Sequence, residues 1–170
     1  AHAVPGTAGG LSPAWHPSAR YLAYDELANT GHQTIVVRDL ATGTTHRVAT
    51  RYTLNISPAF SPDGNTLVFA AGDDGSDLFS AAPFDNSQPV RLTPSRGFSN
   101  ASPSFSPDGK HIAFTSNRLG HAEVYIMDAD GTNPDLLTTT AFGDQMYRSD
   151  PDWSPDGRRV AFQSRIAGAA

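Results

Sequence analysis

Short apolar stretches of three or four residues alternate with polar turns along most of the chain. In one example, Pro62-Asp63-Gly64 precedes the apolar stretch 67–70, and a second turn containing Gly75 follows it. Proline presets φ in such a turn, aspartate bonds back to the backbone, and glycine accepts a positive φ. No segment longer than ten residues has a convincing helical periodicity. The pattern therefore predicts an all-β fold of short strands joined by tight turns.

The pattern recurs at a regular interval. Four segments can be laid over one another, at 12–17, 57–64, 102–109 and 150–157. Their first prolines, at positions 13, 58, 103 and 151, are separated by 45, 45 and 48 residues. The same steps separate two aromatic series, which are Trp15, Phe60, Phe105 and Trp153 in one and Tyr24, Phe69, Phe114 and Phe162 in the other. Three series with one period indicate an internal repeat.

Each period predicts four short strands, which in the second repeat lie at 58–60, 67–70, 78–80 and 91–93. A repeat of about 45 residues with four strands is typical of a β-propeller blade. The predicted fold is all-β, a partial β-propeller with three complete four-stranded antiparallel blades and one incomplete blade. The predicted divisions are an N-terminal extension at 1–10 and blades at 11–53, 54–98, 99–147 and 148–170, the last of them partial.

The segment 57–64, followed by the apolar stretch 67–70, resembles the repeat of the TolB-like β-propeller family. Segment 126–134 is similar to that family's link between the third and fourth strands of a blade, and the resemblance covers residues 11–165. The first repeat departs from the motif, because His-Pro-Ser-Ala stands at 16–19 in place of Ser-Pro-Asp-Gly. Similar repeats occur in the propeller domains of prolyl-oligopeptidase-like and tricorn-like peptidases. The motif therefore identifies a blade rather than one function.

The fourth repeat contains only two predicted strands, whereas the resemblance implies a ring of six blades. Two terminal blade faces and one strand edge are then left without neighbours. The chain is a piece of a longer protein, or it assembles with a copy of itself, or a different protein covers the open faces. We favour a piece or a reduced relative held by another protein, with self-association as the second explanation.

Composition and charge narrow the classes of function. The formal charge of −5 and the pI near 5.5 argue against a nucleic-acid-binding protein, because phosphate recognition uses a basic face. The absence of cysteine excludes disulfides and thiolate metal sites. No apolar run approaches the roughly 20 residues of a membrane-spanning helix. We therefore expect no nucleic-acid partner and no transmembrane segment within these residues.

Sequence motifs of catalysis are missing. There is no Gly-x-Ser-x-Gly nucleophile turn and no His-Glu-x-x-His, and the six histidines fall mostly at turns or strand ends. No glycine-rich loop precedes a helix, so the sequence gives no support for nucleotide binding. We expect a protein that is not an enzyme and that uses no cofactor.

Polar residues enter the first strand of three successive repeats at the aligned positions Asn55, Asn100 and Arg148. In a propeller these positions crowd towards one mouth of the axial channel, where a peptide or protein tail could bind. The loops ahead of them carry residue types that are enriched at protein interfaces, namely Arg96, Phe98, Phe142, Met146 and Tyr147. Two simpler interpretations stay open, a water-filled channel entrance and aromatic side chains packed between blades.

The loop 72–77 contains the carboxylates Asp73, Asp74 and Asp77, and closely spaced carboxylates can bind calcium. The loop lacks the twelve-residue calcium-binding pattern that ends in glutamate. It also aligns with the hairpins around Gly31 and Gly120. An ordinary hairpin turn is therefore the preferred interpretation, and no metal is expected.

The resemblance implies a setting in the bacterial cell envelope. The favoured hypothesis is a non-catalytic protein–protein interaction module in the periplasm, peripheral to the membrane. As an extrinsic subunit, it would stabilise a membrane-associated complex whose partner protein covers the open blade faces. The alternative is the gating or substrate-binding propeller of a prolyl-oligopeptidase-like or tricorn-like peptidase, with its catalytic domain outside these residues.

Overall fold

A computed structural model describes residues 10–28, 31–48, 50–94, 97–138 and 146–166. These residues form strands and turns, and no described segment is a helix that could cross a membrane. The strands are β1 (Gly10–Trp15), β2 (Tyr21–Leu27), β3 (Gln33–Asp39), β4 (Thr45–Val48), β5 (Leu54–Phe60), β6 (Leu67–Gly72), β7 (Asp77–Ala81), β8 (Val90–Arg91), β9 (Asn100–Phe105), β10 (His111–Ser116), β11 (Glu123–Asp128), β12 (Asp135–Leu136), β13 (Met146–Trp153) and β14 (Val160–Ile166).

The strands form four antiparallel sheets in chain order. Three sheets contain four strands each, as β1-β2-β3-β4, β5-β6-β7-β8 and β9-β10-β11-β12, and the fourth contains β13 and β14. Neighbouring sheets pack face to face, and the first strands β1, β5, β9 and β13 are adjacent from one sheet to the next. This arrangement confirms the predicted partial propeller, with three four-stranded blades and a fourth of two strands.

The first and fourth strands of the second sheet differ in length from the prediction. The first strand of the second sheet begins at Leu54 instead of Pro58, because its pairing with β6 resumes beyond a bulge between Ile56 and Ala59. The fourth strand of that sheet ends at Arg91 instead of Thr93. The Thr93 hydroxyl accepts a hydrogen bond from the Leu78 amide at 2.9 Å. At this point a side chain, and not a backbone carbonyl of the fourth strand, is the partner of β7.

Apolar rows from adjacent sheets form the core. Phe69 is fully buried between the first two sheets, where it packs with residues such as Ile35 and Val37. Phe114 is fully buried between the second and third sheets, together with Leu78 and others. Both rings belong to the second aromatic series of the sequence, so two members of that series fill blade junctions. Burying an aromatic side chain of this kind contributes roughly 1.5–3 kcal/mol by area.

The two outermost sheets differ in how far they are covered. On the side of the first sheet that faces away from the second, Leu22, Tyr24 and Val36 are 5%, 3% and 1% exposed. In the two-stranded fourth sheet, Phe162 is 41% exposed although it belongs to the same aromatic series as Tyr24. Phe162 lines a cavity with Leu137, next to the third sheet, so the exposed apolar surface lies at the junction of the third and fourth sheets, whereas the outer side of the first sheet is already buried.

The Pro-Asp-Gly turns are held by local hydrogen bonds. In the third sheet, the Ser106 hydroxyl donates to Asp108 Oδ1 at 2.6 Å, and the Lys110 amide donates to the same oxygen at 3.1 Å. The turns of the second and fourth sheets repeat this pattern. The predicted turn-stabilising role of the aspartates is confirmed. The first repeat keeps the same turn shape, with Ala19 at a φ of 56° where the others have glycine.

A left-handed residue interrupts the first strand of every sheet. These residues are Ser12 (φ 45°), Ser57 (55°), Ser102 (49°) and Asp150 (53°). A non-glycine residue in this region carries strain of about 1–3 kcal/mol unless its surroundings hold it there. The preceding sheet stabilises this conformation by hydrogen bonds. The Ser57 amide donates to Asp25 Oδ1 at 3.4 Å, and the Asp150 amide donates to Thr115 Oγ1 at 3.1 Å.

Replacing Ser57 with valine is expected to lower the free energy of unfolding by about 2 kcal/mol, since a β-branched residue tolerates positive φ poorly. Ser57→Gly is expected to stay within about 1 kcal/mol of the parent, because glycine accepts this conformation. Urea denaturation followed by tryptophan fluorescence measures both values. Ser80→Val, in a β7 position without positive φ, is the control. An equal loss in that variant would contradict the strain explanation.

The turn between β3 and β4 depends on Asp39. The Arg20 guanidinium donates to its Oδ2 at 2.7 and 3.1 Å, and the amides of Ala41 and Thr42 donate to its Oδ1. The bond from Arg20, supported by the two amides, lowers the pKa of Asp39 to about 2. The carboxylate therefore stabilises the folded chain in full above about pH 4, and this contribution is lost as the pH falls towards 2.

The variant Asp39→Asn should consequently be less stable than the parent at neutral pH, and the gap should close between about pH 4 and about pH 2. Chemical denaturation at a series of pH values measures the difference in free energy of unfolding. Asp74→Asn is the control, because Asp74 is exposed and makes no hydrogen bond to a described residue. If the difference in unfolding free energy between Asp39→Asn and the parent does not change with pH, the charge of the Asp39 carboxylate does not contribute to stability.

Candidate protein-binding surface

The end of the sheets where the first strands begin carries the aligned residues that the sequence singles out. Asn55 lies there at the start of β5 and is 1% exposed. Its amide nitrogen donates to the carbonyl oxygens of Gln33 and Tyr52, each at 3.0 Å. Its carbonyl oxygen accepts from the amide and the hydroxyl of Thr50 at 2.9 Å. Asn55 therefore ties its own blade to the third strand of the preceding one.

Asn100 occupies the same position at the start of β9 and is fully buried. Arg118 Nη2 donates to its carbonyl oxygen at 3.2 Å. Its amide nitrogen lies 3.5 Å from the Ser76 carbonyl oxygen and 3.4 Å from Asp77 Oδ1. Asp77 also forms an ion pair with Arg91. Asn100 thus bridges the second and third sheets as Asn55 bridges the first and second, but its partner on the preceding sheet is the charged Asp77.

Arg148 makes the third bridge. Its Nη1 donates to Glu123 Oε1 at 3.0 Å, and the Glu123 side chain is fully buried. The Thr138 hydroxyl donates to the other carboxylate oxygen, and His121 Nε2 lies 3.1 Å from Oε1. Arg148 keeps only 11% of its side chain exposed. A buried charge pair of this kind holds the two-stranded sheet against its neighbour.

The three bridges contact the first residue of the preceding third strand, which is Gln33, Asp77 or Glu123. The structure thus brings each candidate residue into a blade junction rather than into a shared polar ring. Protein binding by these side chains stays a prediction. Their observed contacts hold the start of each of these first strands against the third strand of the preceding blade.

The remaining predicted interface residues are placed unequally. Phe98 is half-buried, with the Arg118 guanidinium 5.3 Å above its ring. Tyr147 is 43% exposed at the start of β13. Arg96 and Phe142 lie outside the described residues, as does the side chain of Met146. Tyr147 therefore remains the one described member of the loop set that presents a large exposed side chain.

Two exposed leucines lie at the same end and were missed by the repeat analysis. Leu27, at the end of β2, is 61% exposed, and Leu119, in the β10–β11 hairpin, is 53% exposed. Exposed large apolar side chains at one end of a rigid scaffold favour a protein contact. Their signal in the sequence is a leucine at a hairpin tip, where polar residues are usual. Leu27, Leu119 and Tyr147 together give this end of the sheets an exposed apolar surface, which we name the loop-end surface.

The acidic loop does not gather its carboxylates. Asp73 accepts hydrogen bonds from the amide and hydroxyl of Thr53 at 2.8 and 2.6 Å, which lower its pKa. Asp77 is buried and faces Arg91, whereas Asp74 is exposed. Within the described ranges there is no group of three or more side chains suited to a metal ion. The geometry matches the hairpin-turn interpretation of this loop.

Arg148→Met is expected to lower the free energy of unfolding by about 3 kcal/mol, because the buried Glu123 carboxylate loses its cation. The double variant Glu123→Gln/Arg148→Met should lose less, since a neutral amide needs no counter-charge. Urea denaturation of the single and double variants gives the coupling energy. Arg47→Met is the control, because its ion pair with Glu26 is exposed and should contribute less than about 1 kcal/mol. Equal losses of unfolding free energy in Arg148→Met and Arg47→Met would contradict a stabilising role for the buried pair of Arg148 and Glu123.

Comparisons with known proteins extend these observations. The Tol-Pal system protein TolB of Alcanivorax borkumensis is 34% identical over 65 residues, which are 38% of this chain and 15% of that protein. The crystal structure of TolB from Acinetobacter baumannii superposes with a TM-score of 0.79 at 30% identity, over 94% of this chain and 39% of that chain. The chain thus spans less than half the length of either TolB protein.

A puromycin-hydrolysing peptidase of Mycobacterium tuberculosis superposes with a TM-score of 0.70 at 17% identity, over 91% of this chain and 26% of that chain. At that level of identity the likeness concerns the fold alone. The family model PD40, described as the TolB beta propeller domain, matches residues 4–170. Because this match takes in every described strand and nearly the whole sequence, the chain belongs to the TolB β-propeller family.

Proposed function

We propose that this chain is a non-catalytic protein–protein interaction module that docks through the loop-end surface. The observation that carries the proposal is the exposure of Leu27, Leu119 and Tyr147 at one end of the sheets. Apolar side chains at the rim of a rigid scaffold are well suited to binding, because little conformational freedom is lost on association. The bridges made by Asn55 and Asn100 support the proposal by holding the loops in place.

The cellular setting forms the second part of the proposal. The Alcanivorax relative is named as a Tol-Pal system protein. Membership of the same family supports a place in the bacterial periplasm, peripheral to the membrane. In that setting the module would act as an extrinsic subunit that stabilises a membrane-associated complex.

A partner that covers the fourth sheet would complete this picture. Phe162 and Leu137 are 41% and 40% exposed, and they line a cavity of about 360 Å³ together with Val160. In the described part of the chain, β14 pairs only with β13. A strand with an open edge can accept another strand by backbone hydrogen bonds. A second copy of the chain is the alternative occupant of this edge.

A photo-crosslinking amino acid at position 119 is expected to join the chain to a specific envelope protein in cells that produce it natively. The same amino acid at Val90 is the matched control, because Val90 is 62% exposed but lies on the outermost strand of the second sheet. Leu27→Glu should reduce the crosslink from position 119 by about tenfold or more, since a charge would be buried in an apolar contact. Immunoblotting of envelope fractions measures the yield.

Equal crosslinking from positions 119 and 90 would argue against a specific loop-end surface. Crosslinks only between copies of the chain would replace the extrinsic-subunit proposal with self-association. Recovery of the chain outside the periplasmic and membrane fractions would remove the proposed location while leaving the surface intact.

A further inference from the structure

Two similar cavities lie at the opposite end of the sheets from the loop-end surface, between the Pro-Asp-Gly turns of neighbouring blades. Cavity 1, between the second and third sheets, measures about 470 Å³. Its walls include Ser61, Pro62, Asp63, Thr66, Phe105 and Asp108. Cavity 2, between the third and fourth sheets, measures about 480 Å³. Its walls include Ser106, Pro107, Asp108, His111, Trp153 and Asp156.

Both cavities are built to one plan. An aromatic ring from the following blade forms one wall, Phe105 in cavity 1 and Trp153 in cavity 2. A proline of the preceding turn and the turn aspartates form the other side, and Asp108 belongs to both cavities. No described lysine or arginine lines either one. Each cavity therefore combines an aromatic wall with carboxylates, and in cavity 2 the His111 ring lies 6.5 Å from the Trp153 ring.

The chain itself fills the corresponding space between the first and second sheets. There the His16 ring lies 5.0 Å from the Phe60 ring and 5.2 Å from the Tyr21 ring, edge to face with both. Phe84 covers it at 5.8 Å. The imidazole also presses on the next turn, because a Cβ placed on Gly64 would lie only 2.1 Å from Nε2.

Cavity 1 has small residues where the first junction has rings. By the repeat alignment, Ser61 takes the position of His16, and Thr66 takes that of Tyr21. The space that a planar, nitrogen-containing ring fills in one junction is thus open in the next. His16 serves as an internal example of the kind of group that fits.

Charge distinguishes the open cavities from the filled junction. His16 Nδ1 lies 2.8 Å from the Ser18 hydroxyl, whereas the later turns have an aspartate at that position. In the shared wall, the Ser106 hydroxyl and the Lys110 amide bind Asp108 Oδ1 and lower the pKa of that carboxyl below its ordinary range. Asp108 Oδ2 has no hydrogen-bond donor among the described residues. An ionised oxygen is therefore left to receive a cation.

We propose that each of the two cavities binds an arginine side chain of a basic peptide segment. The guanidinium group is planar, so it fits against Phe105 or Trp153 in the space that the imidazole takes beside Phe60, where its face can lie on the ring. Its N–H groups donate to the turn aspartates, and a charge-assisted bond of this kind is stronger than a neutral one. Lysine is the weaker ligand, because an ammonium group has no flat face.

The test uses Trp153 as the reporter for cavity 2. In a Trp15→Phe background Trp153 is the sole tryptophan, and its fluorescence is followed while acetyl-Gly-Arg-Gly-Arg-Gly-amide is added. A saturable change is expected, and Asp156→Asn should weaken binding by about tenfold or more. Asp63→Asn is the matched control, because Asp63 lines only cavity 1 and should leave the Trp153 signal within about twofold.

Cavity 1 has its own readout in the amide resonances of Gly109 and Ala129, which both line it. Their shifts on peptide addition should disappear in Asp63→Asn and persist in Asp156→Asn. Asp108→Asn should weaken both responses, since Asp108 lines both cavities. Asparagine keeps an acceptor oxygen for Ser106 and Lys110, so these variants are expected to fold, and circular dichroism verifies it.

Three results would overturn the proposal. One is a lack of saturable response from either reporter at millimolar peptide. Another is equal binding of the citrulline analogue, which is planar but uncharged. The third is equal binding of the lysine analogue, which is charged but not planar. Failure of this test leaves the loop-end surface untouched, because the two regions lie at opposite ends of the strands.

Discussion

Each sheet of this chain has apolar side chains on both faces, and therefore no sheet can satisfy its own core. Phe69 and Phe114 are completely buried only because a neighbouring sheet lies against them. Stability then comes mainly from contacts between adjacent repeats, as in other repeat proteins. Every other feature of the structure depends on keeping these sheets face to face at a constant spacing.

Polar bridges near the channel mouth complement that apolar packing. Asn55, Asn100 and Arg148 reach across successive junctions to the start of the preceding third strand. Apolar contacts are not directional, whereas these hydrogen bonds fix the register of one blade against the next. The loops at either end of the strands can then vary in sequence, and the surfaces at these two ends of the sheets differ. One end presents exposed leucines, and the other presents cavities with aromatic and carboxylate walls.

The fold could be predicted from the sequence because its signals repeat. Three series of residues with one period predicted four-stranded blades and tight turns, and the structure confirms them. The bulge at Ser57 was not predictable, since its positive φ depends on the neighbouring sheet rather than on the local sequence. The same reason applies to the candidate site. Alignment placed Asn55 and Asn100 where the first strands begin, but it did not predict their burial, because a contact between repeats is not encoded in a single repeat.

The self-contained turns have a consequence for the order in which the chain acquires its structure. The hydrogen bonds of Ser106 and Asp108 join residues no more than five positions apart, so they form without any distant contact. Such short loops close within microseconds, whereas contacts between distant positions form more slowly. We expect individual hairpins to appear first and the docking of one repeat on the next to limit the rate. Errors in this chain would then arise by pairing the wrong neighbours, because the hairpins themselves are so alike.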